Sequence, residues 1–381
     1  MSSSSFIPDF IIDFGSFTTK YGLPSDEIPF EFHTIVGQYE MQGFSGMSKI
    51  SCGTKVLQEK SIGNFRLKTL SPMVSRGVFN GESTLNMETL CHQAFRSLYT
   101  LQDAKYSEQS LREKKLNVTL AAVQSQHHVR NLTQLIFEKF GISSLQFFTP
   151  TENIERVLID NSKTASHTCG EHYILEMGHG ITQLAKLKSN SPVCHIPLGG
   201  MDITKYIKEH LTNGAEESIL KLTELKEQNC HCSPVPSSNL HSPENVFSQA
   251  PEVLFSSNPQ QQDTLVSTIH KYISSHQEEF THEDPNVHMT TIHLSGGSSL
   301  LKGLKERLEF ELNQNFDKAS FKGWIKVKHN KMGKDSSFFG ACKRVKENDP
   351  SSRDQACSLS EYKEKGMERV MAENYKHLFA K

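Results

Sequence analysis

Three short motifs combine an acidic or polar residue with glycine in a way that could bind phosphate. They are residues 11–16 (IIDFGS, the first motif), 174–180 (ILEMGHG, the second motif) and 294–298 (LSGGS, the third motif). Each contains or follows a short apolar run, which predicts a strand that ends in a turn. Glycine lets backbone N–H groups approach phosphate oxygens, and a carboxylate at the strand end can hold a metal-bound water. The motifs therefore predict a nucleotide-binding site.

Strands and helices alternate around these motifs. Residues 10–12 enter the first motif and residues 20–22 leave it on the second arm of a hairpin, while 118–123 predict a buried strand and 131–140 a helix. The second half repeats this order, with strands at 173–175 and 290–294 and helices at 203–211 and 301–312. Strand, crossover helix, strand is typical of a parallel sheet, so the repetition predicts two related lobes.

The chain is long enough for two lobes, and its charge balance excludes a strong electrostatic preference for one class of partner. The chain has 381 residues, 36% of them apolar and 22% charged, with a net charge of -2. Single cores usually stop growing near ~250–300 residues. The charge balance predicts no general attraction to nucleic acid or to an anionic membrane, and no apolar stretch approaches the ~20 residues of a membrane span. The serine-rich start shows no signal-peptide pattern, and the eight scattered cysteines predict thiols in a cytosolic or nuclear protein.

Eight segments resemble actin and the actin-related proteins, in the same order along the chain. They are 12–22, with Lys20 in the phosphate loop; 53–78; 118–120 with 135–140; 198–204; Lys226-Glu227; 251–255 (PEVLF); 294–299, followed by Gly303 and Arg307; and 361–366 (EYKEKG). No single segment is decisive, but eight in register are hard to obtain by chance. The chain therefore resembles a divergent actin-related protein.

The resemblance implies an α/β fold class, the actin-like ATPase fold of duplicated ribonuclease H-like domains with a nucleotide cleft between two lobes. The implied domains are a first lobe, 1–158, with a small mobile subdomain, 34–69; a second lobe, 159–334, with an insert subdomain, 200–271; and a C-terminal segment, 335–381, that returns to the first lobe. Composition adds two local predictions. Residues 38–51 favour a mobile loop, and residues 229–263 favour a surface excursion with little regular structure.

The nucleotide-binding residues also follow from the resemblance. They are Asp13, Gly15, Ser16, Lys20, Gly178, Gly180, Gly200, Asp202, Lys226, Glu227, Gly296, Gly297 and Ser298. The implied ligand is ATP or ADP with Mg²⁺, held as a structural ligand, and Asp13 would reach the metal through water. The alternative is that the glycines serve only tight turns.

The second motif departs from the family pattern at three positions that bear on hydrolysis. Glu176 stands where aspartate is usual, Met177 where serine is common, and His179 where a second carboxylate is expected. A carboxylate displaced by about 1 Å can cost ~100-fold in rate. Imidazole is a poor substitute ligand for Mg²⁺, which prefers oxygen. These changes predict a damaged catalytic centre.

A further departure lies at Pro150, which takes the place of the family's water-positioning glutamine. Proline cannot orient a water molecule. Residues 149–152 (TPTE) instead predict a capping box that opens a helix. Glu152 or Asn153 could orient the water if the alignment shifts. We expect ATP hydrolysis to be lost or very slow.

Other chemical patterns favour plain structural roles. Residues 230–232 (CHC) with His241 are too closely spaced for a tetrahedral zinc site, so no zinc is expected. Residues 127–128 (HH) lack a matching nucleophile or carboxylate. A basic stretch surrounds Trp324 and favours a solvated face, with contact to an acidic partner or a phosphate backbone as the alternative. The stretch comprises Lys322, Lys326, Lys328, Lys331 and Lys334.

An apolar stripe near the C-terminus favours either core packing or a partner-binding face. Its members are Met367, Val370, Met371, Tyr375 and Leu378.

The expected function is structural: a non-catalytic or weakly catalytic nucleotide-binding subunit of a dynactin-like, axonemal or microtubule-associated complex. The expected partners are protein subunits, including other actin-like proteins, without direct nucleic-acid contact. The expected location is the cytoplasmic cytoskeleton, including the cilium. Self-polymerisation is not expected, because residues 38–51 do not resemble the family segment that docks into the next subunit. The alternatives are a nuclear subunit of a chromatin-remodelling complex and an active ATPase or sugar kinase of the same fold.

Overall fold

The computed structural model divides the chain into two units, Met1–Arg156 with Ser337–Lys381, and Val157–Ser336. It describes residues 9–41, 48–58, 65–70, 84–101, 114–121, 124–162, 170–211, 219–234, 246–257, 263–276, 289–318, 324–347 and 356–379. The subdomain limits predicted at 34–69 and 200–271 stay predictions. Within the described residues, no helix is long and apolar enough to cross a membrane.

The described residues form fourteen strands and twelve α-helices. The strands are β1 (Asp9–Phe14), β2 (Thr18–Gly22), β3 (Phe30–His33), β4 (Val36–Met41), β5 (Ser48–Cys52), β6 (Phe65–Leu70), β7 (Lys115–Thr119), β8 (Ser144–Phe148), β9 (His172–Met177), β10 (Thr182–Lys186), β11 (Cys194–Ile196), β12 (Met289–Ser295), β13 (Trp324–His329) and β14 (Cys357–Ser358). The helices are α1 (Thr54–Gln58), α2 (Thr84–Leu101), α3 (Gln126–Gln134), α4 (Pro150–Ser162), α5 (Gly200–Leu211), α6 (Ile219–Asn229), α7 (Val246–Gln249), α8 (Leu265–His276), α9 (Leu304–Lys318), α10 (Ser336–Glu347), α11 (Leu359–Lys365) and α12 (Met367–Glu373).

The main sheet of the first unit has the order β14-β8-β7-β1-β2-β3. Strands β1, β2 and β3 form antiparallel pairs, whereas β7 and β8 run parallel to β1. The predicted amphipathic helix is α2, and it buries Met87, Leu90, Cys91, Ala94 and Phe95 in the core of this unit. The first motif therefore sits where the central strand turns into a hairpin.

The sheet of the second unit repeats this pattern. Its order is β11-β10-β9-β12-β13, with antiparallel pairs among β9, β10 and β11 and with β12 parallel to both β9 and β13. Strand β9 thus corresponds to β1, and β12 and β13 correspond to β7 and β8. The prediction of two related α/β lobes with a duplicated fold is confirmed.

The edge strand β13 is covered by side chains of α9. The N–H of Ile325 donates to Asn313 Oδ1 at 2.9 Å, and Asn313 Nδ2 donates back to the Ile325 carbonyl at 3.0 Å. The N–H of Val327 donates to Glu309 Oε2 at 2.8 Å. These bonds satisfy backbone groups that an edge strand otherwise presents to its surroundings.

The prediction of a loop at 38–51 is wrong for the residues that the structure describes there. Residues 38–41 belong to β4 and 48–51 to β5, and β4 also pairs with β6 in a three-stranded antiparallel sheet. The pairing with β6 satisfies backbone N–H and C=O groups of β4. The composition of residues 38–51 does not predict this pairing. Residues 42–47 lie outside the described part of the chain, as do 59–64 and 71–78 of the family-like segment 53–78.

The predicted surface excursion at 229–263 is also wrong in part. Cys230 and Cys232 lie in the core of the second unit, where burial raises the pKa of each thiol to about 12. Helix α7 and a 3₁₀ turn, Ala250–Leu254, also contribute buried side chains. Residues 235–245, with His241, and 258–262 lie outside the described part. The described pieces are therefore core elements.

A buried ion-pair cluster joins two of these pieces, around Ser233 and Glu252, to α9. Arg307, on α9, is 2% exposed and donates to both carboxylate oxygens of Glu252 at 2.9 Å. It also donates to Glu311 Oε1 at 2.9 Å and to the Ser233 carbonyl at 3.1 Å. Its guanidinium group lies 4.6 Å from the centre of the Phe255 ring. Glu252 and Phe255, both in the family-like segment 251–255, are therefore part of this cluster.

The C-terminal stripe is core. Val370, Tyr375 and Leu378 are fully buried, and Met371 is nearly so, in the first unit. The predicted helix from Glu361 is two helices, because Gly366 has a φ of +76° between α11 and α12. The predicted helix at 131–140 also differs, since α3 passes into a π-helix, Leu135–Lys139, whose first three residues are buried.

Candidate functional site

The first motif forms the turn between β1 and β2. The Gly15 N–H donates to the Thr18 carbonyl at 3.1 Å, and the Gly15 carbonyl accepts from Thr34 Oγ1 at 2.7 Å. Asp13 and Lys20 face each other across the two strands, and Lys20 is only 7% exposed. Ser16 lies in the turn and is partly exposed. The structure thus places a carboxylate, an ammonium group and a glycine turn at one end of the first unit's sheet.

The start of α4 confirms the predicted capping box. The Thr149 N–H donates to Glu152 Oε2 at 2.7 Å, and the Glu152 N–H donates to Thr149 Oγ1 at 3.3 Å. Pro150 is the first residue of the helix, where its missing N–H costs nothing. The Glu152 carboxylate is therefore used by the cap.

Asn153 is the remaining polar candidate near Pro150. Its side chain is fully buried, and its amide nitrogen donates to Thr119 Oγ1 at 2.9 Å. Thr119 is the register partner of Asp13 on the neighbouring strand. This bond fixes the Asn153 side chain to the sheet next to the first motif.

The second and third motifs meet in the second unit at one carbonyl group. The Gly178 carbonyl accepts from Ser298 Oγ at 2.8 Å and from the Gly200 N–H at 3.1 Å. The Met201 N–H donates to the His179 carbonyl at 2.7 Å. The two motifs and the start of α5 are thereby held together, although they are far apart in sequence.

Close approach at the third motif requires a glycine. Gly296 has φ +85° and ψ 161°, a backbone region that essentially only glycine occupies. A Cβ atom there would lie 2.5 Å from the Met177 carbonyl oxygen and 2.7 Å from Glu176 Oε1. At Gly297, by contrast, an added Cβ atom would meet no atom within 4 Å. The third motif thus has one crowded glycine and one that borders open space.

The start of α5 is similarly crowded. A Cβ atom on Gly200 would lie 2.4 Å from Ser298 Oγ, 3.2 Å from Lys226 Nζ and 3.5 Å from His179 Nδ1. Lys226 Nζ donates to the Gly200 carbonyl at 3.3 Å. Asp202 Oδ2 accepts from the Gly199 N–H at 2.8 Å, so this carboxylate caps the helix.

The positions of the other predicted nucleotide-binding residues of this unit say less about ligand binding. Gly180 is buried in the second motif, and Glu227 is exposed on α6.

Sequence reasoning missed two exposed apolar side chains beside the third motif, Leu300 (56% exposed) and Met332 (46%). Leu300 Cδ2 lies 3.5 Å from the Cβ position of Gly333, the residue after Met332. The position of Leu300 two residues after the third motif is the signal that could have identified it.

Burial and a neighbouring cation keep His179 neutral. Burial, with a smaller effect of the Lys226 ammonium group, lowers its pKa to about 3. Burial also lowers the pKa of Lys226, although the Glu227 carboxylate opposes that shift. The second motif therefore has an uncharged imidazole where the family has a carboxylate.

We expect His179 to remain neutral from about pH 8 down to about pH 5. Its folded-state pKa lies below the unfolded value, so the unfolded chain binds more protons between about pH 3 and 6.5. This group therefore lowers the stability of the fold as pH falls through that window. Histidine-selective NMR, with His179→Gln to assign the signal, measures the titration. A His179 signal that titrates near pH 6.5 or above would contradict this expectation.

Each unit supplies an oxygen donor of the kind that Mg²⁺ prefers. Asp13 is half-buried in the first unit. In the second, Glu176 Oε1 lies 2.7 Å from the Cβ position of Gly296 and 3.6 Å from that of Gly178. His179 does not fit, because imidazole is a poor Mg²⁺ ligand and Lys226 lies beside it. In the described part of the chain, no group of three or more His, Cys, Asp or Glu side chains could hold a metal ion.

A sheet pattern that occurs twice, each time with a glycine motif after its central strand, defines an actin-like α/β fold. The family model for actin matches residues 5–243 and 234–374. The chain belongs to the actin family. A search of curated protein sequences found no match for it.

Proposed function

We propose that this chain is a divergent actin-related protein that binds ATP or ADP as a structural ligand and serves as a subunit of a larger cytoskeletal assembly. The observation that carries the nucleotide proposal is the junction at the Gly178 carbonyl, which accepts from Ser298 Oγ and from the Gly200 N–H. That junction aligns two glycine motifs, whose turns suit phosphate oxygens, while the N–H groups of Gly199, Gly200 and Met201 are used within the protein. The match to the actin family over most of the chain supports the same ligand.

Several residues have defined roles in this proposal. Gly297 borders open space and would admit the phosphates, and Lys226 supplies a buried positive charge. Leu300 and Met332 provide an exposed apolar surface against which the base of the nucleotide would pack. When bound, Mg²⁺ would neutralise phosphate charge, and Asp13 would reach it through a water molecule.

Hydrolysis should be absent or very slow for three reasons. Pro150 cannot orient a water molecule, and the Glu152 carboxylate is occupied by the helix cap. Glu176 is one methylene longer than the usual aspartate. His179 is neutral and cannot replace a carboxylate. A nucleotide held in this way stabilises the fold by mass action without being consumed.

The proposed assembly is cytoskeletal, of the dynactin-like, axonemal or other microtubule-associated kind, with a cytoplasmic location. Its partners are protein subunits, among them other actin-like proteins. A nuclear subunit of a chromatin-remodelling complex is the second candidate, because actin-family membership is compatible with both. The proteins that copurify with the tagged full chain discriminate the two, since a remodeller would bring a helicase subunit.

The nucleotide proposal has a direct test. The native protein is purified and denatured, and any released nucleotide is identified by chromatography. A second sample is incubated with ATP and Mg²⁺, and phosphate release is measured. We expect about one equivalent of bound nucleotide and no steady phosphate release. Steady release would contradict the structural-ligand proposal, and an empty protein that binds no added ATP would refute nucleotide binding.

A further inference from the structure

Two imidazoles and a lysine lie on one face of the second unit's sheet, and a second lysine lies near one of the imidazoles. His172 Nδ1, on β9, lies 3.1 Å from His293 Nε2, on β12, and the two rings stack with centres 5.4 Å apart. Lys328 stands opposite His293 in the register of β12 and β13. Lys188, just after β10, is close enough to shift the pKa of His172. We call these four residues the histidine–lysine cluster.

The cluster lies on the sheet face opposite the hydrophobic core of the unit. Side chains alternate along each strand, and the core residues are Tyr173 on β9, Ile292 on β12 and Val327 on β13. The histidines and Lys328 occupy the intervening positions and are partly exposed, while Lys188 is exposed. Ligands can therefore reach the cluster from one side.

Among the residues that the structure describes, the charges next to the imidazole pair are basic. Burial lowers the pKa of His172, with smaller effects of Lys328 and Lys188, and burial, His172 and Lys328 lower the pKa of His293 to about 4. Lys326 is exposed on the same face, two residues before Lys328. On strand β9 the acidic residue of this face is Glu176, about 13 Å beyond His172 along the strand.

The carboxylate of Glu171 is hydrogen-bonded on the core side of the sheet and does not offset the positive charge of the lysines. Glu171 precedes β9, and its two oxygens accept from Tyr173 Oη and from Lys186 Nζ, both at 2.6 Å. Tyr173 points to the core side of the sheet, so Glu171 is bonded away from the imidazole pair. The face thus gathers positive and protonatable groups around a pair of imidazoles that repel each other's protonation.

We propose that the histidine–lysine cluster binds an acidic segment of a partner protein, with carboxylate oxygens at the imidazole pair and at the flanking lysines. The mutual hydrogen bond uses one nitrogen of each ring, so Nε2 of His172 and Nδ1 of His293 lie outside it. An anion placed there would favour an added proton on the pair. Binding of the segment should therefore take up a proton and strengthen as pH falls below neutrality.

A protein segment fits this face better than a nucleic acid does. Trp324 is 60% exposed at the start of β13 and shares the face with Lys326 and Lys328, so an apolar contact lies beside the basic ones. Nucleic-acid binding draws on many phosphate contacts, and the net charge of -2 gives no general attraction to a polyanion. Of the predicted basic stretch, Lys322 lies outside the described residues, and Lys331 and Lys334 follow the strand.

The test uses the full chain and a fluorescein-labelled dodecaglutamate peptide as the probe. Fluorescence anisotropy measures its affinity at about 50 mM salt, at about pH 7.5 and about pH 6, with and without saturating ATP. We expect tighter binding at the lower pH and no competition by ATP, because the cluster does not include the glycine motifs. Competition by ATP would place the peptide at those motifs and overturn the proposal.

Variants locate the site. Lys328→Gln should weaken peptide binding by about 2–5-fold, whereas Lys205→Gln, which removes an exposed lysine from α5 of the same unit, should have no effect. His172→Gln combined with His293→Gln should abolish the pH dependence, and thermal unfolding checks that this double variant folds. If the double variant does not fold, the comparison of Lys328→Gln with Lys205→Gln is sufficient to test the site.

Three further results would overturn the proposal. They are absence of binding by the native chain, equal loss in Lys328→Gln and Lys205→Gln, and tighter binding of a labelled dodecathymidylate, which would assign the face to nucleic acid.

Discussion

Replacing Glu252 by alanine is expected to destabilise the second unit by about 3–5 kcal/mol, since it leaves a buried cation without its main partner. Arg307 is 2% exposed, and the two carboxylate oxygens of Glu252 accept hydrogen bonds from Arg307 Nη1 and Nη2. The remaining partners, Glu311 and the Ser233 carbonyl, cannot replace a bidentate carboxylate. For a unit of this size the loss corresponds to a fall of about 10 °C in its unfolding temperature.

Glu306→Ala is the matched control for this prediction. Glu306 lies on the same helix, is exposed, and pairs only with partly exposed Lys305 at 3.6 Å among the ion pairs of the described residues. Its removal should cost no more than about 0.5 kcal/mol. Hydrogen exchange then separates the units: Glu252→Ala should accelerate exchange in α9 and β13 and leave β1 and β7 unchanged. Equal unfolding temperatures for the two variants would show that the ion pair contributes little.

The adjacent glycines of the third motif should respond to substitution in opposite ways. Gly296→Ala should cost more than about 2 kcal/mol, because its backbone region excludes side chains and a Cβ atom would clash with the Met177 carbonyl. Gly297→Val should change stability by less than about 0.5 kcal/mol, since nothing lies within 4 Å of its Cβ position. If the nucleotide occupies that open space, Gly297→Val should weaken its binding by about 10-fold or more, which is about 1.4 kcal/mol.

Thermal unfolding without nucleotide and ATP binding by calorimetry measure these two effects separately. Gly297→Ala introduces a smaller side chain than Gly297→Val does, and it should cause a smaller loss of affinity for ATP. A Gly297→Val protein that binds ATP as tightly as the native chain would place the nucleotide elsewhere. A fully stable Gly296→Ala protein would contradict the backbone argument, whatever its affinity.

Local patterns are sufficient to predict much of the fold and the motifs of the candidate site. The 3.6-residue spacing of apolar residues predicts α2, and the TPTE sequence predicts the cap of α4. Both depend on contacts within a few residues. Apolar runs that lead into glycine likewise mark β1, β9 and β12.

Long-range pairing is what local patterns cannot supply. The loop prediction at 38–51 is wrong because β4 finds its partner in β6. The segment 251–255 and Arg307 both resemble the family, yet no local pattern joins Glu252 to an arginine 55 residues later. The bond between Ser298 and Gly178 spans 120 residues, so the motifs are predictable while their junction is not.

The α9 side chains that cover β13 limit how other proteins can recognise this unit. Asn313 and Glu309 occupy the backbone groups of Ile325 and Val327, so a neighbouring chain cannot extend the sheet at these residues by adding a strand of its own. A protein that binds along β13 must therefore contact its side chains. Such binding depends on the charge of these side chains. The same cover protects the unit against indiscriminate strand-to-strand aggregation, while Trp324, Lys326 and Lys328 remain available to a specific partner.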